Sequence, residues 1–129
     1  MPFEEWVRIT NEHSEGRNLP SGFVPASFYF GFVNDEIVGR LAFRWEMNDY
    51  LTKVAGHIGF VVLPDHQRKG YASEMLRQAL SIGLERGFDK VLLTCDDDNV
   101  SSIKTIEKAH GVLENVYTGP EVKKPKRRY

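Results

Sequence analysis

Residues 58–73 read IGFVVLPDHQRKGYAS, and a strand, a tight basic turn and a helix start follow one another within them. Ile58 to Leu63 is an apolar run of β-branched and aromatic residues, the pattern of a buried strand. Pro64 stops it, because proline has no N–H to give a sheet ladder. Asp65-His66-Gln67-Arg68-Lys69-Gly70-Tyr71-Ala72 is a polar turn with two adjacent cations and a glycine, and helical periodicity begins at once after it. The first amides of a helix have no internal partner and the helix dipole favours negative charge there, so this order of elements predicts an anion site built from main chain. Gly70 lets a ligand oxygen approach the backbone, and Ala72 keeps the next position small.

Working outward, Tyr71 to Arg86 predicts a helix, with Met75, Leu76, Ala79, Leu80, Gly83 and Leu84 at core-facing spacing and Gly87 as its C-terminal cap. Lys90 to Cys95 reads as a short strand, Asp96 to Asn99 as a loop. A helix capped by Ser101 or Ser102 should run to His110 and end at Gly111, with a further strand over Val112 to Tyr117. Upstream, Ala26 to Val33 and Ile37 to Glu46 predict an antiparallel hairpin about an Asn34-Asp35-Glu36 turn. Asn48 to Gly56 connects it to the central strand, Gly56 to Leu63. Pro2 to Asn11 predicts an amphipathic helix with Phe3, Trp6, Val7 and Thr10 on one face, followed by a polar loop over residues 12 to 22. The strand–helix–strand run from 56 to 95 should be a right-handed crossover between parallel neighbours, so the fold class is α/β (α+β by some schemes) with a mixed, largely antiparallel sheet flanked by helices.

The 129 residues suit one domain, 1–129, and the hydrophobic and charged fractions of 41% and 27% are those of an ordinary globular protein. A net charge of −1 gives the whole chain no electrostatic reason to seek nucleic acid or a membrane. Cys95, the single cysteine, excludes an internal disulfide and fits a cytoplasmic location. No apolar run reaches membrane-spanning length, the N-terminus is not a secretory leader, and no metal site is expected. The tail Lys123-Lys124-Pro125-Lys126-Arg127-Arg128-Tyr129 could bind nucleic acid or an acidic partner, but it reads better as a solvated end or a charge-protected edge strand. Period two places Arg40, Arg44 and Glu46 on one face of their strand, either a solvated face or the wall of a cleft.

Gln67-x-x-Gly70-x-Ala72 resembles the pyrophosphate-binding signature of the GNAT superfamily of N-acetyltransferases. Leu92-Leu93-Thr94, Asn99-x-x-Ser102 and Glu107-Lys108-x-x-Gly111 resemble that family's next strand and the start and end of its next helix. The resemblance covers roughly residues 25 to 118. Members of the family open with a strand and a further helix that are not apparent here, so the resemblance implies a shortened N-terminus. That would leave a sheet edge a second copy could cover, giving a homodimer.

The resemblance implies an acetyl-CoA-dependent N-acetyltransferase fold in which the central strand and the next, 58–63 and 91–95, splay apart to admit the pantetheine arm. Acetyl-CoA would be the cosubstrate and an amine-bearing small molecule or peptide the acceptor, attacking the thioester directly. Backbone contacts fall to Phe60, Val61 and Val62, as an added strand would make them. Pyrophosphate contacts fall to Gln67, Arg68, Lys69, Gly70, Tyr71 and Ala72, with the two cations either adding charge or simply solvated. Ser102 and Asn99 match the helix-start motif; Asn99 is either a contact near the sulfur or an ordinary loop asparagine. The oxyanion would meet the Val62 amide. The family's usual acidic tyrosine falls at Ile106, which cannot donate a proton, so either another group such as Tyr117 or water does that work or the thiolate leaves unaided. Glu46 and His57 are the candidate bases, each with a plain alternative as a surface or strand-end residue. Asp96 to Asp98 could attract a cationic acceptor or be a solvated acidic turn, His110 suits a helix C-terminus, and Cys95 reads as a core residue. Two other functions compete: a non-catalytic acyl-CoA sensor of the same fold, which Ile106 favours, and an α/β module holding a nucleotide phosphate, which lacks both a P-loop and a three-glycine fingerprint.

Overall fold

A computed structural model describes residues 1–129. In chain order the elements are α1 (Phe3–Ser14), β1 (Ala26–Val33), β2 (Glu36–Arg44), β3 (Ile58–Val62), α2 (Tyr71–Glu85), β4 (Thr94–Asp96), α3 (Val100–Lys108), β5 (Asn115–Tyr117) and β6 (Lys126–Arg128). A π-helical turn, Leu51–Ala55, precedes β3, and a 3₁₀ turn, Pro64–His66, follows it. The fold is mixed α/β, with two antiparallel sheets ordered β1-β2-β3 and β4-β6-β5.

The expected hairpin forms, turning through Asn34 and Asp35 at φ 51° and 65°. Both residue types tolerate that left-handed conformation, and it matches the twist of the flanking strands. The two sheets join where Leu93 makes an antiparallel bridge to Gly56 and a parallel one to Ile58. Past Ile58, β3 pairs only with β2 and β4 only with β6. The parallel neighbours therefore touch at the base of β3 and then part.

α2 covers one face of the first sheet. Its Leu76, Ala79 and Gly83 are buried, and they belong to a core with Leu41, Phe43, Ile58, Leu93, Cys95, Ile106 and Tyr129. A Cβ on Gly83 would sit 3.0 Å from the Phe43 ring, so the helix approaches this closely only because that position is bare. α1 covers the opposite face, with Trp6 6.2 Å from both Phe28 and Phe30.

Several features differ from the sequence expectation: α1 runs on to Ser14, β2 ends at Arg44 rather than Glu46, and β5 is regular only over Asn115–Tyr117. The strand predicted over Lys90–Cys95 is regular only at Thr94–Asp96, because the Leu92 amide is taken by the His57 side chain rather than by a ladder. Asn99, not Ser101 or Ser102, caps α3: its Oδ1 accepts from the Ser102 amide at 3.1 Å. The basic tail is neither a solvated end nor an edge, since β6 lies between β4 and β5. No helix is long and apolar enough to cross a membrane.

Candidate active site

Two cavities meet on β3. One, about 570 Å3, lies where β3 and β4 part. Phe60, Val61 and Val62 form its floor; His66, Gln67, Arg68, Gly70, Tyr71, Ala72 and Ser73 form one wall, and Asn99, Ser101, Ser102, Lys104 and Thr105 the other. Gly70 is the N-cap of α2 at φ 82° and offers no side-chain cap, and the first helical bond runs from the Glu74 amide to the Gly70 carbonyl. The amides at the start of α2 are thereby left to a ligand. Gln67 Nε2 donates to the Val62 carbonyl at 3.1 Å and ties the turn to the end of β3. Arg68, also at positive φ, lines the wall, whereas Lys69 does not.

The β2–β3 ladder fixes which main-chain groups face the gap. Arg44 N–H donates to the His57 carbonyl and Leu63 N–H to the Val38 carbonyl. Alternation along an antiparallel ladder then directs residues 57, 59, 61 and 63 toward β2 and residues 58, 60 and 62 away from it. Phe60 and Val62 thus present backbone groups to the gap, whereas the backbone of Val61 faces β2 in register with Arg40. Of the three backbone contacts expected from the sequence, the ladder leaves Phe60 free at both its N–H and its carbonyl and Val62 at its N–H, since Gln67 takes the Val62 carbonyl.

The second cavity, about 620 Å3, lies on the face that α1 covers. Leu19, Gly22, Phe23, Val24 and His13 roof it, with Asn48, Tyr50 and Leu51 at one side. Its floor follows from cross-strand register: Phe28, Ala42 and Gly59 form one row, and Arg40 and Val61 the next. Arg44 sits beside Gly59, where a Cβ would lie 3.4 Å from its Nη2. Arg44 Nη1 donates to the carbonyls of Ala55 and Gly56, each at 3.2 Å. Gly56 closes the π-helical turn at φ 71°, and a Cβ there would lie 2.4 Å from the Leu92 carbonyl oxygen, so only glycine fits. Burial pushes the Arg44 pKa below the ordinary guanidinium value, with Tyr50 opposing. Phe60 and Val61 line both cavities, so a group in one can meet a group in the other across β3.

The three residues expected to move protons are not brought together. Glu46 lies exposed beyond the end of β2 and lines neither cavity. His57 is a packing residue: Nδ1 accepts from the Leu92 amide at 2.9 Å and its ring meets Phe88 edge-on. Burial first, then the Arg44 charge, lowers its pKa from 6.5. Tyr117, on β5, donates to Glu121, which raises the phenol's pKa. Ile106 is wholly buried in the core, whereas its neighbour Thr105 lines the first cavity, its hydroxyl donating to the Ser101 carbonyl. Burial also raises the Cys95 thiol's pKa, as a core residue requires. Asp96, Asp97 and Asp98 pair with Lys126, Arg127 and Lys124 at 2.5, 2.6 and 3.1 Å, so the acidic turn is neutralised by the basic tail. No group of three or more His, Cys, Asp or Glu residues is placed to hold a metal ion.

A family model described as the acetyltransferase (GNAT) family matches residues 3–112. The chain is 31% identical over 127 residues to the uncharacterized N-acetyltransferase YnaD of Bacillus subtilis (strain 168), covering 82% of this chain and 72% of that one. Its fold is similar to that of RimL, a ribosomal L7/L12 alpha-N-protein acetyltransferase solved with coenzyme A, at a TM-score of 0.73 and 22% identity over 97% of this chain and 68% of RimL. It is also similar to a GNAT-family acetyltransferase from Bacillus anthracis, at a TM-score of 0.63 and 24% identity over 78% of this chain. The chain spans 61% of that protein's length.

Proposed function

The chain belongs to the acetyltransferase (GNAT) family, and from that premise we propose that it moves the acetyl group of acetyl-CoA to a primary amine by direct attack. The observation that carries the reading is the meeting of two cavities on Phe60 and Val61 where β3 has lost its β4 partner. The gap-side cavity takes the cofactor. Amides from Arg68 to Ser73 hold its diphosphate, with Arg68 adding charge, and the free backbone groups of Phe60 pair with the amides of its arm. Asn99 and Ser102 start the helix that forms the far wall.

The amine enters from the Arg40–Arg44 side and attacks the thioester carbonyl. A C–N bond forms, the C–S bond breaks, and coenzyme A leaves as thiol or thiolate. Val62 N–H faces the gap and serves the developing oxyanion. An alkylamine with a pKa of about 10.4 is mostly protonated in water. The ammonium gives one proton to water before the C–N bond forms, and the nitrogen's second proton passes to the departing sulfur or to water as the C–S bond breaks.

Calorimetry with acetyl-CoA and coenzyme A, paired with release of free thiol in the presence of amines, tests the reading. Binding of both coenzymes and amine-dependent thiol release are expected. Gly70→Val, which forces a branched side chain into the left-handed region, should weaken coenzyme binding about tenfold or more. Absence of heat with either coenzyme overturns the reading.

A further inference from the structure

The acceptor cavity carries an uncompensated positive charge. Arg40, Arg44 and His13 line it, and none of the chain's 18 acidic residues does. Neither arginine takes part in any ion pair of the chain. Arg44 is half-buried, and two backbone carbonyls occupy only its Nη1. Its Nη2 lies beside Gly59, at the floor, where the missing side chain leaves room for a ligand. Arg40 is held over the Phe28 ring at 5.7 Å, its guanidinium free of carboxylate partners. Of the chain's other arginines, Arg8, Arg17, Arg77, Arg127 and Arg128 each have a carboxylate within reach, Arg86 lies over the Trp45 ring, and Arg68 lines the first cavity. No side-chain nitrogen is buried without a partner, so the donors left free on both guanidiniums open into the cavity, where an anion can take them as charge-assisted hydrogen bonds.

We propose that the amine acceptor is itself anionic, bearing a carboxylate or phosphate that Arg44 and Arg40 grip while its amine reaches toward β3. The inference rests on the acetyltransferase reading and names the acceptor's chemical class. The apolar part of the lining, Phe23, Phe28 and Phe60, limits the body of the acceptor to a small or partly apolar molecule. Polyamines, with several cations and no anion, are excluded by the same charges that recognise the acceptor.

The test is thiol release from acetyl-CoA with acceptors in matched pairs. Dipeptides with a free C-terminal carboxylate are set against their amides, and phosphoethanolamine against ethanolamine, with spermidine as the polycation. The first pair reports a carboxylate, the second a phosphate. In at least one pair the anionic member should show a kcat/KM about ten- to a hundredfold higher, carried mainly by KM. Arg44→Gln and Arg40→Gln should each narrow that ratio while acetyl-CoA affinity is kept; Arg40 is exposed, so its variant stays informative if Arg44→Gln fails to fold. Equal or better use of neutral amines or spermidine, or a ratio unmoved by the Arg40 variant, overturns the proposal. Acetyl-CoA binding without turnover of any anionic amine also overturns it while leaving the cofactor reading standing. Loss of acetyl-CoA binding to the unmodified protein would instead bring down the acetyltransferase reading.

Discussion

His57, just before β3, and Gly59, on it, stand two residues apart and answer to different forces. His57 accepts a hydrogen bond from the Leu92 amide through Nδ1, so its neutral form is the one that joins the two sheets. Burial and Arg44 lower its pKa from 6.5 in the folded chain, so the unfolded chain binds the proton more readily. The stabilisation is therefore complete above about pH 6.5 and is lost as pH falls toward the folded pKa. Thermal midpoints measured between pH 8 and pH 5 should fall on acidification, and His57→Gln, which keeps an acceptor but cannot titrate, should flatten that dependence. Gly59 faces the acceptor cavity beside Arg44, and a side chain there would occupy it. Gly59→Val should leave the acetyl-CoA dissociation constant unchanged and lower acetyl transfer about tenfold or more, measured by calorimetry and thiol release on one preparation. At this scale the sequence made the cup at Gly70 legible, because proline, glycine and helix periodicity are local signals. It could not choose among Glu46, His57 and Tyr117, because a proton-transfer role depends on what stands opposite a side chain across strands.

Among the elements, α3 shows how a residue can satisfy a family motif and a local need at once. Asn99 begins the Asn-x-x-Ser run, and its side chain accepts from the Ser102 amide, which otherwise has no partner. Asn99→Ala should cost about 1 kcal/mol of stability and lower the midpoint by a few degrees. Asn99→Asp and Asn99→Ser should restore most of it. If Asn99 serves the cofactor only by placing α3, acetyl-CoA affinity in these three variants will follow stability; if its amide donates to the cofactor, Asn99→Asp will be stable and bind poorly. The hairpin and α2 were legible because each repeats one period over eight or more residues. The π-helical turn at Leu51–Ala55 was not, since it is set by Arg44 bonding the carbonyls of Ala55 and Gly56 from another element. The short β4 escaped for a related reason: the Leu92 amide, which a ladder would use, belongs to His57.

Across the whole molecule, the second sheet is assembled from pieces far apart in sequence. β6 supplies its middle strand, and the Leu93 amide and carbonyl exchange hydrogen bonds with Tyr129 at 3.1 and 2.9 Å. Leu93 is also the residue that bridges to β3, so the last residues of the chain brace the point from which the cofactor gap opens. A run of cations gave no sign of this, because its partners Asp96 to Asp98 lie some 30 residues earlier and each charge is satisfied only in the fold. Tyr129 is 8% exposed and packs in the core, and its hydroxyl donates to Glu107 on α3 at 2.7 Å. Two substitutions separate the ring from the hydroxyl. Tyr129→Phe removes the bond given to Glu107 and the one accepted from Arg127 Nη1 and should cost about 1–2 kcal/mol. Tyr129→Ala empties a core position and should cost about 3 kcal/mol or more. Urea denaturation should register both as shifts in midpoint at a similar slope. Because the Tyr129 ring packs in the same core cluster as Leu93, at the base of the splay, Tyr129→Ala should also weaken acetyl-CoA binding under conditions where the protein is still folded, whereas Tyr129→Phe should not. A destabilised Tyr129→Ala protein that binds the coenzyme normally would show that the gap is held open by β2 and β3 alone.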